Sequence, residues 1–201
     1  MFFHDLPATG PASKAYGVPF IHNLFPLECD IVEKLYVLSI EAYGPNAKSD
    51  WHSSGYWTHR VQSTLSEVGK KEGLVVMPTK EKDSDKFHAP WLLGLVWLEA
   101  TPPSNEHVFD WRTCRGLKLV CTCEWGETFN AIVESFFKLT VVVADLRVFV
   151  YSNRSVKTEA GFIHPADLCK RACPLSRGFR FLLVGFPTNA NGQVRIDAWI
   201  A

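Results

Sequence analysis

Two polar side chains, Thr122 and Glu124, stand in an otherwise apolar segment of the stretch LKLVCTCEWGE. Successive residues of a β-strand point to opposite faces, so Thr122 and Glu124 would share one face with Lys118 and Val120. A carboxylate at a strand end can bind a divalent cation, or it can stabilise the N-terminus of a following helix. Both roles of Glu124 stay open at this point.

A second group of metal-binding side chains lies in HPADLCKRAC, residues 164–173. A short helix opening at His164-Pro165 would place Cys169 and Cys173 on one face, with His164 near its start. Thiolates and imidazoles are zinc ligands, but the spacing offers no Cys-x-x-Cys pair and no evident fourth ligand. Packed, reduced thiols are the preferred interpretation, and zinc binding by His164, Cys169 and Cys173 is the alternative.

Other enzyme signatures are absent from the sequence. It contains no Gly-x-Ser-x-Gly, no glycine-rich phosphate loop and no His-Glu-x-x-His. The chain of 201 residues is 47% hydrophobic and 21% charged, which indicates a packed protein rather than a disordered one. Its 21 basic and 21 acidic residues balance, which disfavours a globally basic nucleic-acid binder but leaves room for a local basic patch.

The sequence also predicts a compartment. No run approaches the roughly 20 apolar residues of a membrane-spanning helix, and the N-terminal residues lack the pattern of a signal peptide. The six cysteines are then expected to be reduced thiols. We predict a cytoplasmic protein without a membrane partner.

The elements that would position these side chains form a mixed α/β pattern. Residues 1–26 are rich in Pro, Gly and Ala and predict an extended arm, followed by one domain over residues 27–201. Apolar periodicity predicts helices at 28–43, 55–71 and 128–143 and a short helix from His164. It predicts strands at 74–77, 91–100, 117–124, 146–151, 179–186 and 194–200. We expect a mixed central β-sheet flanked by helices.

The strand, loop, strand, helix, strand run over residues 91–151 resembles the core of the PD-(D/E)XK nuclease superfamily, the restriction-endonuclease-like fold. The resemblance spans about residues 55–151 and rests mainly on LKLVCTCEWGETFNAIVESFFKLTVVVADLRVFVY. In similar bacterial proteins a strand ends in an acid-x-acid-Trp step, a helix carries Phe-x-Lys-Leu, and a strand of the LRVFVY type follows. The matching pieces here are Glu124-Trp125, Phe136-Phe137-Lys138-Leu139 and residues 146–151.

The resemblance implies a nuclease site with Mg²⁺ as its cofactor. The metal would clamp a phosphodiester and lower the pKa of an attacking water. Residue by residue, Glu124 fits the second acid of the acid-x-acid step and Lys138 fits a helix-borne lysine that stabilises the anionic transition state. Glu67, on the second helix, fits an assisting glutamate.

Two expected metal ligands are missing from this pattern. The aspartate that should open the strand GLVWLE falls on Gly94, and the first acid of the acid-x-acid step falls on Thr122. Glu124 is then the single carboxylate left as a metal ligand, which is a poor donor set for Mg²⁺. Simpler roles are exposed i,i+4 ion pairs of Glu67 with Lys71 and of Glu134 with Lys138.

Three functions are compatible with this reading. The favoured one is a catalytically degraded nuclease-like protein, acting as a subunit or adaptor in a bacterial defence or mobile-element system, with a protein partner or as a homo-oligomer. The first alternative is an active Mg²⁺-dependent nuclease that cleaves DNA or RNA through Glu124 and Lys138. The second is a nucleic-acid-binding module without chemistry, for which zero net charge is unfavourable.

Overall fold

The computed structural model describes residues 24–43, 54–78, 93–100, 113–126, 128–173, 178–187 and 194–200. These ranges contain four helices and eight strands. The helices are α1 (Pro26–Tyr43), α2 (Ser54–Lys71), α3 (Phe129–Thr140) and α4 (Pro165–Ala172). The strands are β1 (Val75–Pro78), β2 (Leu95–Ala100), β3 (Cys114–Glu124), β4 (Leu146–Ser152), β5 (Val156–Thr158), β6 (Gly161–Ile163), β7 (Arg180–Phe186) and β8 (Arg195–Ile200).

Six of the strands form one mixed sheet in the order β1-β2-β3-β4-β7-β8. β1, β2 and β3 are antiparallel neighbours, whereas β3, β4 and β7 run parallel, and β8 closes the far edge antiparallel to β7. The parallel steps need long crossovers. α3 supplies the first, and the small β5-β6 hairpin with α4 lies in the second.

The sheet separates two apolar layers. On one face, α1 and α2 pack through residues such as Ile31, Leu35, Val61 and Leu65 against Trp97 and its neighbours. On the other face, α3 and α4 cover an aromatic group that joins Phe136, Phe149 and Phe181. None of the four helices within the described ranges is long and apolar enough to cross a membrane.

Two arginines of the sheet, one for each layer, form polar contacts on the side of the helices that cover it. Arg147 of β4 is fully buried, and its guanidinium donates to the carbonyl oxygens of Leu139 (3.0 Å), Val142 (2.5 Å) and Ala144 (2.7 Å) at the end of α3. On the other side, Arg180 of β7 donates two 2.6 Å hydrogen bonds to the buried Glu28 carboxylate of α1.

A β-bulge interrupts the alternation of β3. Trp97 faces Leu119 but the next residue, Leu98, faces Leu117, so Lys118 is an extra residue in the ladder. Leu117 therefore packs on the α3 face, although strict alternation predicts that it shares a face with Leu119. Lys118 instead pairs with Glu99 (2.8 Å) and Asp145 (3.0 Å).

The predicted α/β class and most predicted elements are confirmed, with ends shifted by a few residues. α1 begins at Pro26, because proline is favourable in a first helical turn, and α3 ends at Thr140 before the β-branched run that made this end uncertain. The β5-β6 hairpin was not predicted. The predicted arm, apart from the last residues before α1, lies outside the described residues.

Candidate functional site

Thr122 and Glu124 lie at the carboxyl end of β3, and both contact Ser135 of α3. The Ser135 hydroxyl donates a 2.6 Å hydrogen bond to Glu124 Oε2, and the Thr122 hydroxyl donates to the Ser135 carbonyl oxygen at 3.3 Å. The second carboxylate oxygen, Oε1, accepts from the Gly126 amide at 2.7 Å. Glu124 therefore fastens the end of β3 both to α3 and to the turn that follows.

The turn is built around this carboxylate. A Cβ at Gly126 would lie 2.8 Å from Glu124 Oε1, so a larger residue there would require this carboxylate to shift from its hydrogen bond with the residue 126 amide. One interpretation of the sequence was that Glu124 caps α3, and this interpretation is wrong. Thr128 is the N-cap, because its hydroxyl accepts from the Ala131 amide at 3.3 Å.

Gly94 and Thr122, the two positions where the resemblance expects acids, lie near each other where the pairing of β2 with β3 begins. Leu95 pairs with Cys121, and the Gly94 amide donates to the Cys121 carbonyl oxygen at 2.9 Å. Gly94 is a bend residue just before β2 and lies beside the peptide that joins Cys121 to Thr122, and Glu124 follows Thr122 two residues later on the same face of β3. The positions are thus adjacent, but only Glu124 supplies a carboxylate.

The described residues at the carboxyl end of β3 are a poor donor set for a Mg²⁺ ion. Mg²⁺ is held by carboxylate and other oxygen ligands in a near-octahedral arrangement. Both oxygens of Glu124 already accept hydrogen bonds within the chain. Across the ranges that the structure describes, no three His, Cys, Asp or Glu side chains are grouped as they would be around a metal.

The other predicted site residues lie elsewhere. Lys138 of α3 pairs with Glu134 at 3.7 Å, as expected for an i,i+4 pair. Glu67 is exposed on α2, which packs on the sheet face opposite to α3. The structure brings Glu124 together with Thr122 and Ser135, and it does not join Glu67 or Lys138 to them by a hydrogen bond or ion pair among the described residues. Ser135 had no signal in the sequence, since a serine inside an amphipathic helix is unremarkable.

The zinc alternative concerned His164, Cys169 and Cys173. His164 is the N-cap of α4, where its Nδ1 accepts from the Ala166 amide at 3.2 Å, and its Nε2 is hydrogen bonded to Asn153 Oδ1. Cys169 is buried against the sheet, and burial raises the pKa of its thiol well above the ordinary value. Both ring nitrogens of His164 are therefore engaged in fixing the start of α4.

His164 is expected to make folding pH-dependent. Burial lowers the pKa of its imidazole, and the positive charge of Arg195 on β8 lowers this pKa further. The negative charges of Asp167 on α4 and Asp197 on β8 raise the pKa and offset part of this effect. The neutral ring is also the form that accepts from the Ala166 amide. Because the folded pKa is below the ordinary value of about 6.5, the unfolded chain binds more protons near that pH.

We therefore expect the unfolding free energy contributed by His164 to be complete above about pH 6.5 and to be lost as pH falls through the folded pKa. His164→Asn keeps an N-cap oxygen but removes this titration. Urea unfolding at several pH values should show a smaller loss on acidification for His164→Asn than for the wild type. His59→Asn, at an exposed histidine of α2, is the control, and equal losses in all three proteins would contradict the assignment.

The opposite face at this end of the sheet is filled by aromatic side chains. Trp125, directly after β3, packs on Trp57 of α2 and on Phe186 of β7, with ring centroids 6.1 Å and 5.6 Å apart. The Trp125 indole N–H donates to the Thr58 hydroxyl at 2.9 Å. Trp125 therefore belongs to the core here, and the step Glu124-Trp125 sends one side chain to each face.

Comparison with known proteins adds no further assignment. No protein-family model matches the chain, and neither a curated protein nor a solved structure matches it significantly.

Proposed function

We propose that this chain is a nuclease-like protein of the PD-(D/E)XK type that has an incomplete metal site and does not cleave nucleic acid. The observation that carries the proposal is the environment of Glu124. Its carboxylate is satisfied by Ser135 and Gly126, while the adjacent positions Gly94 and Thr122 carry no acid. A site of this kind stabilises the end of a strand rather than a metal and a phosphate.

The order of elements supports the nuclease-like part of the proposal. α2 is followed by the antiparallel strands β1, β2 and β3, then by α3, then by β4 parallel to β3. The part from β2 to β4 has the strand, strand, helix, strand order on which the resemblance rests over residues 91–151. The three positions of the expected acids also converge at one end of β2 and β3.

A protein of this fold without hydrolysis is suited to act as a subunit or adaptor, and the resemblance suggests a bacterial defence or mobile-element assembly. The chain has zero formal net charge. Lys118, a candidate for a basic patch, is paired with two carboxylates. Strong binding to nucleic acid independent of sequence needs unpaired Lys and Arg to neutralise phosphates, so a protein partner is favoured.

We expect purified protein with Mg²⁺ or Mn²⁺ to leave labelled single- and double-stranded DNA and RNA intact, and calorimetry to show no stoichiometric Mg²⁺ binding at micromolar concentrations. Glu124→Ala should instead lower the unfolding free energy by about 1–3 kcal/mol, because it leaves the Ser135 hydroxyl and the Gly126 amide without their acceptor. Glu124→Gln keeps one acceptor oxygen and should lose less.

The matched control is Glu67→Ala, at an exposed glutamate of α2, which should change the unfolding free energy by less than about 0.5 kcal/mol. Metal-dependent cleavage that Glu124→Ala abolishes would overturn the proposal in favour of the active nuclease. Salt-sensitive retention of labelled nucleic acid on a filter, without cleavage, would favour the binding module instead.

A further inference from the structure

α3 carries a row of apolar side chains on its solvent side. Phe129, Val133, Phe137 and Val141 follow one another at i,i+4 spacing and so lie along one side of the helix. Phe129, Phe137 and Val141 are 40%, 58% and 57% exposed, and Val143, directly after the helix, is 76% exposed. We call these five residues the α3 row.

Apart from Val133, which is half-buried and packs against the core beneath the helix, the α3 row is not needed to hold α3 on the sheet. The helix is anchored by a different set, Ile132, Ser135, Phe136 and Leu139, which is buried. Isolated exposed apolar residues are ordinary in proteins, but a contiguous row with two phenylalanines is typical of an interaction surface. The row is therefore a candidate contact surface for a binding partner.

We propose that the occupant is a second copy of this chain, with the two α3 helices antiparallel about a two-fold axis. The charges beside the row carry the choice. Glu134 and Lys138 lie on one flank of it, each one residue after a member of the row. In an antiparallel pair centred near Phe136, Glu134 of each copy faces Lys138 of the other, whereas in a parallel two-fold pair this flank would face the opposite flank of the second copy and these two ion pairs would not form.

The geometry of the row suits the same arrangement. A line of side chains at i,i+4 spacing is one of the ridges that interdigitate when two helices cross at about 50°. At that angle the contact is concentrated near the middle of each helix, where Phe137 lies. α3 has 12 residues and is about 18 Å long, so its contact is smaller than the roughly 800 Å² per partner of a standard interface.

The expected dimer is therefore weak and depends on protein concentration. It does not rest on the absence of nuclease chemistry, because it uses the outer side of α3 and not Glu124. It does give Lys138 a role, since its ammonium would be held between Glu134 of its own chain and Glu134 of the second copy.

Analytical ultracentrifugation of the full chain, up to about 500 µM, tests the surface. We expect a monomer–dimer equilibrium for the wild type and at least about a tenfold weaker dimer for Phe137→Glu, since a carboxylate would be desolvated in the contact. Phe162→Glu, at a 78% exposed phenylalanine of β6 outside the row, is the matched control and should leave the equilibrium unchanged. A wild-type chain that stays monomeric throughout overturns the proposal, as does equal weakening by both variants.

The antiparallel orientation has its own test by cysteine substitution. Near the axis, the two copies of Phe137→Cys lie close enough to form a disulfide under mild oxidation, whereas the two copies of Phe129→Cys are separated by about 20 Å along the helices. We expect covalent dimers from Phe137→Cys only, above the background of the wild type with its exposed Cys29. Cross-linking of Phe129→Cys as well would show a parallel pair and overturn the arrangement.

Charge reversal completes the test. Glu134→Lys brings two pairs of like charges together in the dimer and should weaken it severalfold, and adding Lys138→Glu should restore the wild-type equilibrium. If the double variant stays as weak as Glu134→Lys, the register centred on Phe136 is wrong.

Discussion

Arg147→Leu should lower the unfolding free energy by at least about 3 kcal/mol, because the variant strands three carbonyl oxygens in the core. Arg147 donates to Leu139, Val142 and Ala144, and its guanidinium lies 3.6 Å from the ring centroid of Phe179. Leu139 lies in the last turn of α3, where carbonyl groups have no partner within the helix and carry the negative end of its dipole, and Val142 and Ala144 lie in the connection to β4. Burial lowers the pKa of this guanidinium, but an arginine remains charged at neutral pH.

Urea unfolding followed by circular dichroism measures the effect. Arg147→Lys keeps the charge but cannot place three donors in a rigid fork, so an intermediate loss is expected. Arg171→Leu, at an exposed arginine of α4, is the control and should change the unfolding free energy by less than about 0.5 kcal/mol. A loss for Arg147→Leu no larger than that of the control would show that these hydrogen bonds contribute little.

Arg180→Leu should cost about 3–5 kcal/mol, since it leaves the Glu28 carboxylate buried without its counter-ion. The Glu28 side chain is only 3% exposed and accepts two hydrogen bonds from Arg180, and its Oε2 also accepts from the Phe25 amide at 3.0 Å. Replacing both ends of a buried pair by apolar side chains is far less costly than removing one end. The double variant Glu28→Leu, Arg180→Leu should therefore recover most of the loss.

A double-mutant cycle on the unfolding free energies measures this coupling. The exposed pair of Lys118 and Glu99, with a similar separation of 2.8 Å, is the matched control, and its coupling should be below about 1 kcal/mol because water screens it. A double variant that is no more stable than Arg180→Leu would mean that the cost arises from packing around Arg180 rather than from the stranded charge.

Local pattern was enough to predict the main elements but not the hairpin. α2 shows Trp57, Val61, Leu65 and Val68 at helical spacing, and these residues are buried as that period predicts. β5 and β6 have three residues each, which is too short for an alternating pattern to stand out.

The buried charges could not be predicted, because their partners are remote in the sequence or belong to the backbone. Glu28 reads as an ordinary acid in the first turn of a helix, and its partner Arg180 is 152 residues away. Arg147 reads as the polar member of an alternating strand, and its acceptors are carbonyl groups that no side-chain pattern reveals. Glu124 could be singled out in the sequence by its position at the end of a strand. Its hydrogen bond to Ser135 could not be predicted, because it depends on how α3 crosses over β3.

The strand order also has a consequence for the time course of synthesis. Among the residues that the structure describes, the six strands of the sheet lie side by side in the order in which they are translated, and the β5-β6 hairpin lies outside that sheet. Each strand leaving the ribosome can therefore add to the edge made by the previous one. Until β8 arrives, that growing edge is β7, whose Phe181, Leu182, Leu183 and Val184 are fully buried in the finished protein. The nascent chain would be most prone to aggregate in this interval, and the Arg180 pair with Glu28 would form within it, joining α1 to the newest strand.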